Sequence, residues 1–178
     1  MLIKKILISL VVSAAVAANA STAINSGSSF DVGFSPNQGS LQLVLKSIAS
    51  AHKSIHVAAY SFTSKPIAEA LLQAAKRGVE VEVIADAKSN AGKYSATTYL
   101  ANQGIKVKLD GNYPIFHHKF MIIDNNSLET GSFNYSAAAA KSNAENVLVL
   151  WNVPAIASAY EHEWQSLWNE AQILPAKY

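Results

Sequence analysis

The 178-residue chain contains no cysteine. Disulfides, thiol catalysis and cysteine-ligated metal are excluded with it. In an oxidising compartment stability must then come from packing, with oligomerisation as a further source. An apolar run long enough to cross a bilayer is also missing. The N-terminal run, Ile6 to Ala18, falls short of the about 20 residues a spanning helix needs, and the chain after it turns to Asn, Ser and Thr. Lys4 and Lys5 precede that run, and Ala18-Asn19-Ala20 has the small-x-small form of a signal-peptidase site. Residues 1–20 therefore read as a signal peptide, 21–29 as a flexible Ser/Thr/Asn/Gly leader, and 30–178 as one domain. The expected address is the bacterial periplasm or the medium, with no stable membrane association once the signal is gone.

A net charge is lacking too. Removing residues 1–20 takes away two lysines and no acid, leaving 12 basic (14 less 2) against 12 acidic residues. Overall basicity is thus no argument for a nucleic-acid partner, but its distribution is informative. Lys46 to Lys119 hold ten Lys/Arg against five Asp/Glu, and Phe120 to Tyr178 two against six. A neutral protein can still present a positive cleft. No internal repeat is present.

What is there alternates. Phe30 to Phe34, Ser54 to Tyr60, Val79 to Ala85, Ile105 to Leu109, Phe116 to Ile123, Leu128 to Thr130 and Asn146 to Trp151 read as strands. Helices are expected from Leu41 to about Ala51, from Lys65 to Arg77 with Ser64 as its cap, from Lys93 to Gln103, and from Pro154 onward. The succession argues for a single α/β domain, a central mostly parallel or mixed β-sheet with helices on both faces. In the last helix Ile156, Ala157, Tyr160, Trp164, Leu167 and Trp168 form an apolar stripe, read as core or subunit contact.

The chemistry concentrates in His117 to Ser136. On a strand, His117, Lys119, Met121 and Ile123 share one face and His118, Phe120 and Ile122 the other. His117 and Lys119 can therefore act together. Asp124 is out of phase with them and reads as support, whereas Ser132 and Asn134 sit on a turn that Gly131 permits. A histidine attacks phosphorus or donates a proton near neutral pH, and lysine, hydroxyl and amide donors suit phosphoryl oxygens. These residues alone leave a structural role for His117 open. A metal reading is weakly signalled: His117 and His118 point apart, His52 and His56 straddle a helix-to-strand junction, and His162 looks like a surface residue.

His117, Lys119, Asp124, Gly131, Ser132 and Asn134 reproduce HxKxxxxD, six residues, then GSxN, and in this the sequence resembles the phospholipase D superfamily. The resemblance runs from Phe34-Ser35-Pro36 through Ser61-Phe62-Thr63 to Glu145, and is strongest with the small bacterial endonuclease branch, periplasmic or plasmid-encoded. It implies a phospholipase D-like fold and a metal-independent, cofactor-free cleavage of phosphodiesters through a covalent phosphohistidine. The substrate it implies is DNA with little sequence preference, RNA being left open. One motif copy implies a homodimer in which His117 of each chain meets across a two-fold axis. Lys119, Ser132 and Asn134 would hold the phosphate and Glu145 would orient the imidazole, with Asp124 and Gly131 as structural support. Lys53, Lys65, Lys88 and Lys93 are groove candidates, since a phosphate backbone is bound without base contacts. The alternatives are a phospholipase D or phosphatidyl transferase acting on lipid head groups, and a non-catalytic phosphate-binding relative.

Overall fold

The computed structural model describes residue 24, residues 26–92 and residues 95–177. The expected signal peptide, residues 21–23 and 25 of the leader, and the helix start at Lys93 lie outside these. Among the described residues no helix is long and apolar enough to cross a membrane. Strands β1 (Ser29–Ser35), β2 (Ser54–Ala59), β3 (Glu80–Asp86), β4 (Lys106–Asp110), β5 (Lys119–Ile123), β6 (Ser127–Gly131), β7 (Glu145–Trp151) and β8 (Gln172–Ile173) form one sheet in the order β1-β7-β6-β5-β2-β3-β4-β8. Only β2-β3 and β3-β4 are parallel. The sheet is therefore mixed, because the return through β5, β6 and β7 uses short antiparallel connections.

Helices α1 (Ser40–Ala49), α2 (Lys65–Lys76), α3 (Ala87–Asn90), α4 (Ala96–Asn102), α5 (Ala137–Lys141) and α6 (Pro154–Glu170) complete the domain. The leader's end is not free: Ser28 Oγ donates to the Asn152 carbonyl, and Ser29 already belongs to β1. Ser64 takes the N-cap place of α2, yet its side chain makes no cap bond; its amide donates to the Tyr135 carbonyl instead.

Strand alternation sorts the core into two layers. Met121 and Ile123 join Ile55, Val57, Val81, Val83, Val147 and Val149 beneath α1, α2 and α4. Phe120 and Ile122 face the other way, onto Trp164 and Leu167 of α6. The α6 stripe is thus core, worth about 1.5–3 kcal/mol for each fully buried large side chain. Trp164 also donates from Nε1 to the Val57 carbonyl at 3.0 Å. His56 stacks on Trp164 at 4.3 Å and bonds Glu161, whereas His52 and His162 are exposed.

Candidate active site

Lys119 opens β5 and pairs with Ala59, the last residue of β2, so the next residue, Tyr60, stands beside the motif. The Tyr60 ring lies 4.8 Å from the His117 ring and 5.1 Å from Lys119 Nζ. The strand expected from Phe116 begins only at Lys119, so His117 precedes it and is exposed, whereas Lys119 is 8% exposed. Lys119 Nζ donates to the His117 carbonyl at 2.8 Å, so the ammonium is held by a backbone oxygen and an aromatic face. Burial pushes its pKa down, with the Glu145 carboxylate pulling the other way. Among the described residues Lys119 has no salt-bridge partner, so its ammonium can accept an anion. His118 points to the opposite face, between Phe116 and Phe120, where burial lowers its pKa.

The other donors arrive from β6 and β7. Gly131 pairs with Val147, which brings the turn after β6 against the start of β7. Ser132 Oγ donates to Glu145 Oε2 at 2.6 Å and accepts from the Asn146 amide at 3.1 Å. Asn143 Nδ2 holds the other Glu145 oxygen at 3.1 Å. Within one chain, Glu145 therefore engages Ser132 and Asn143, and none of its hydrogen bonds reaches His117. Asn134 carries a buried side-chain atom, placed as Oδ1, with no hydrogen-bond partner. Amide O and N exchange places by a flip, so the same position serves as a donor for an incoming anion. Leaving such a group unpaired costs about 1–3 kcal/mol, which a bound phosphate oxygen would recover.

Gly131 is required by close approach: a Cβ there would collide with the Asn146 carbonyl oxygen, which is backbone and has nowhere to go. Gly131→Ala is expected to destabilise the fold by about 1–3 kcal/mol and to displace Ser132. Denaturant unfolding and diester hydrolysis, measured on one preparation, check both effects.

Asp124 sits at the far end of β5 from Lys119, roughly 16 Å along the strand. Its carboxylate accepts from the amides of His52, Lys53 and Ser54 at 2.7–3.1 Å. Lys53 stands at that same end, away from His117, which removes it from any groove over the site. Lys65 begins α2 at the His117 end of the sheet and is exposed, 3.6 Å from Glu69. Lys88 donates to the Pro114 carbonyl at 3.2 Å, three residues before His117. Lys93 lies outside the described residues.

Three positioning groups were not anticipated from the sequence. Tyr60 is one. Asp86 accepts from the Phe116 amide at 2.9 Å, fixing the residue before His117. Asn90, fully buried, donates to the Tyr60 carbonyl and accepts from the Phe62 amide, tying down the end of β2. Each lies on a strand or helix distant in sequence, and only the position of Tyr60 at the end of an expected strand offered a signal.

Taken together, an α/β domain gathers a histidine, a desolvated lysine, a serine and an unpaired amide at one end of its sheet, donors of the kinds that suit phosphoryl oxygens. A family model described as cardiolipin synthase, PLD-like domain, matches residues 44–168. The chain belongs to the phospholipase D superfamily. It is 37% identical over 133 residues to a phospholipase D of Rickettsia bellii, covering 75% of this chain and 66% of that protein. It is 34% identical over 135 residues to a mitochondrial cardiolipin hydrolase of Xenopus laevis, covering 76% and 63%. The match thus spans just under two thirds of these curated relatives. Among solved structures, Nuc of Salmonella typhimurium, a phospholipase D family member, superimposes with a TM-score of 0.82 at 44% identity, covering 84% of this chain and 99% of that one. NucT of Helicobacter pylori gives 0.76 at 29% identity, covering 83% and 99%.

Proposed function

We propose that the protein is an exported phosphodiesterase that cleaves nucleic acid, DNA foremost, as a homodimer with a shared site. The observation that carries this reading is the meeting of exposed His117 with Lys119, Ser132 and the unpaired Asn134 amide at one sheet end. In the first step an imidazole nitrogen of His117 attacks phosphorus as the P–O bond to one alcohol breaks, and the second copy's His117 protonates that oxygen. In the second step water, deprotonated by the second copy's histidine, attacks phosphorus, the P–N bond breaks and His117 is regenerated. Lys119, Ser132 and Asn134 meet the oxygens throughout, and no step requires a metal. With Glu145 committed to Ser132 in its own chain, an anionic partner for His117 comes from across the two-fold axis.

An exposed apolar stripe supports the dimer reading. Phe30, Val32 and Phe34 of edge strand β1 are 68%, 48% and 51% exposed. Their neighbours Asp31, Gly33 and Ser35 face α1, so the three project on the α6 side. There α6 packs over β2, β4, β5 and β6, leaving the β1 side open. Ser35 pairs with Glu145, so the apolar stripe ends beside the site. A patch of this kind marks an interaction surface. Val32→Ser with Phe34→Ser is expected to halve the mass in solution and to reduce turnover by roughly tenfold or more at micromolar protein, by mass action. A monomer of full activity would contradict the shared site.

The nucleic-acid reading is supported by the match to Nuc, which extends over 99% of that chain at 44% identity. The relatives named for lipid chemistry favour the second reading, hydrolysis of lipid head groups, through the same steps. Purified protein incubated in excess EDTA with plasmid DNA, and separately with phosphatidylcholine or cardiolipin vesicles, separates them. Loss of intact plasmid is the expected result. Lipid hydrolysis without DNA cleavage reverses the order, and a strict divalent-metal requirement defeats the mechanism.

A further inference from the structure

We infer that Glu129 and Tyr135 form a clasp that positions Ser132 and Asn134, making Glu129 a positioning residue for the reaction. This inference rests on the reading of those two side chains as phosphate ligands. Glu129 lies in β6 between Met121 of β5 and Val149 of β7 and is 1% exposed. Among the described residues its carboxyl has one hydrogen bond, accepted from the Tyr135 hydroxyl at 2.7 Å. Tyr135 is equally buried and anchored three ways. Its phenol meets Glu129, its ring stands edge-on to Phe62 at 5.7 Å, and its carbonyl accepts from the Thr63 and Ser64 amides at 2.9 and 2.8 Å. Between Glu129 and Tyr135 lie only residues 130–134, the turn that carries both phosphate ligands. The clasp therefore closes that turn at both ends and ties it to the entry of α2, which follows the end of β2 where Tyr60 stands.

An apolar pair would fill this space at lower cost, since a buried carboxyl is strongly penalised. What the polar pair adds is one fixed geometry, because the two groups satisfy each other in a single arrangement. The Tyr135 hydroxyl donates and the carboxyl accepts, a bond open to either protonation state, so burial decides which state is held. Burial among apolar side chains pushes its pKa up to about 8, against a small opposing effect of the Tyr135 hydroxyl. The charged groups on the same side of the sheet include Lys119, one step further along β5, Glu145 at the start of β7, and Asp31 of β1, which pairs with Val149 and binds Lys46 of α1 at 2.7 Å. A folded-state pKa raised above the unfolded value of about 4.5 means the folded protein holds the extra proton. That contribution to stability is complete below about 4.5 and is lost as pH rises toward 8. Above this, the core encloses a charge whose desolvation the single phenol bond does not repay, and the turn loosens.

The test uses the full-length protein with bis(p-nitrophenyl) phosphate as the probe. Wild type, Glu129→Gln and Tyr135→Phe are compared from pH 6 to 9. Glutamine keeps the shape without the charge, so the kcat ratio of Glu129→Gln to wild type is expected to rise by about tenfold between pH 7 and 9, with KM little changed. Tyr135→Phe removes the group that favours ionisation, so its ratio to wild type rises over the same range from a lower starting value. Should one variant fail to fold, the other gives the same readout. Ratios flat within about twofold across the range mean a merely structural pair and overturn the inference. No diester cleavage by wild type at any pH would instead overturn the phosphodiesterase reading beneath it.

Discussion

His117→Ala is expected to lower diester hydrolysis by about four orders of magnitude or more, on plasmid DNA and on a small diester alike. In the proposed mechanism the imidazole is nucleophile in one chain and acid in the other, so the substitution would remove both functions at once. Little compensating loss of stability is expected. His117 is exposed, precedes β5 rather than lying in it, and its ring packs against Tyr60. Its main-chain carbonyl, which holds Lys119, is retained in the variant. Unfolding within about 0.5 kcal/mol of wild type alongside lost turnover would separate chemistry from folding. A variant that retained a tenth of the activity would remove His117 from the reaction.

Asp124→Ala is expected to do the reverse, costing about 3 kcal/mol of stability while each folded molecule keeps most of its activity. The three amides that Asp124 accepts come from residues 52–54, the turn that enters β2, and alanine leaves them without a partner. Burial alone would push this carboxyl up. The Ser54, Lys53 and His52 amides, with the His52 charge, outweigh it and hold the pKa below the usual carboxylate range. Its contribution to stability is therefore present above the unfolded value of about 3.9 and is lost as pH falls through the lower folded value. Chemical unfolding at pH 7 and pH 3 should show the gap between wild type and variant narrowing in acid. A gap of equal size at both pH values would mean that the carboxylate charge is not what matters there.

The motif was legible because its spacing is local: a period of two placed His117 with Lys119, and the turn residues followed at fixed offsets. The same alternation separated Met121 and Ile123 from Phe120 and Ile122, the two sides of the sheet. Helix and strand positions also followed from periodicity, with ends displaced by a few residues where caps and bends compete. What could not be read is which strands lie side by side. Neighbourhood across the sheet decides that Tyr60 stands beside His117, that Asp86 holds Phe116, and that Lys53 belongs with Asp124 at the far end. A carboxyl at Glu129 looked like an ordinary polar position, since nothing nearby in sequence announces a core in which it accepts from the Tyr135 hydroxyl.

The most direct test of the mechanism is to trap the intermediate. Full-length protein mixed with a phosphodiester, quenched in alkali within the first turnovers and digested, is examined by mass spectrometry for the peptide spanning His117. A substrate-derived phosphoryl group on His117, stable in base, labile in acid and absent from His117→Ala, is the predicted result. Rapid turnover with no phosphorylated histidine at any quench time would contradict the account.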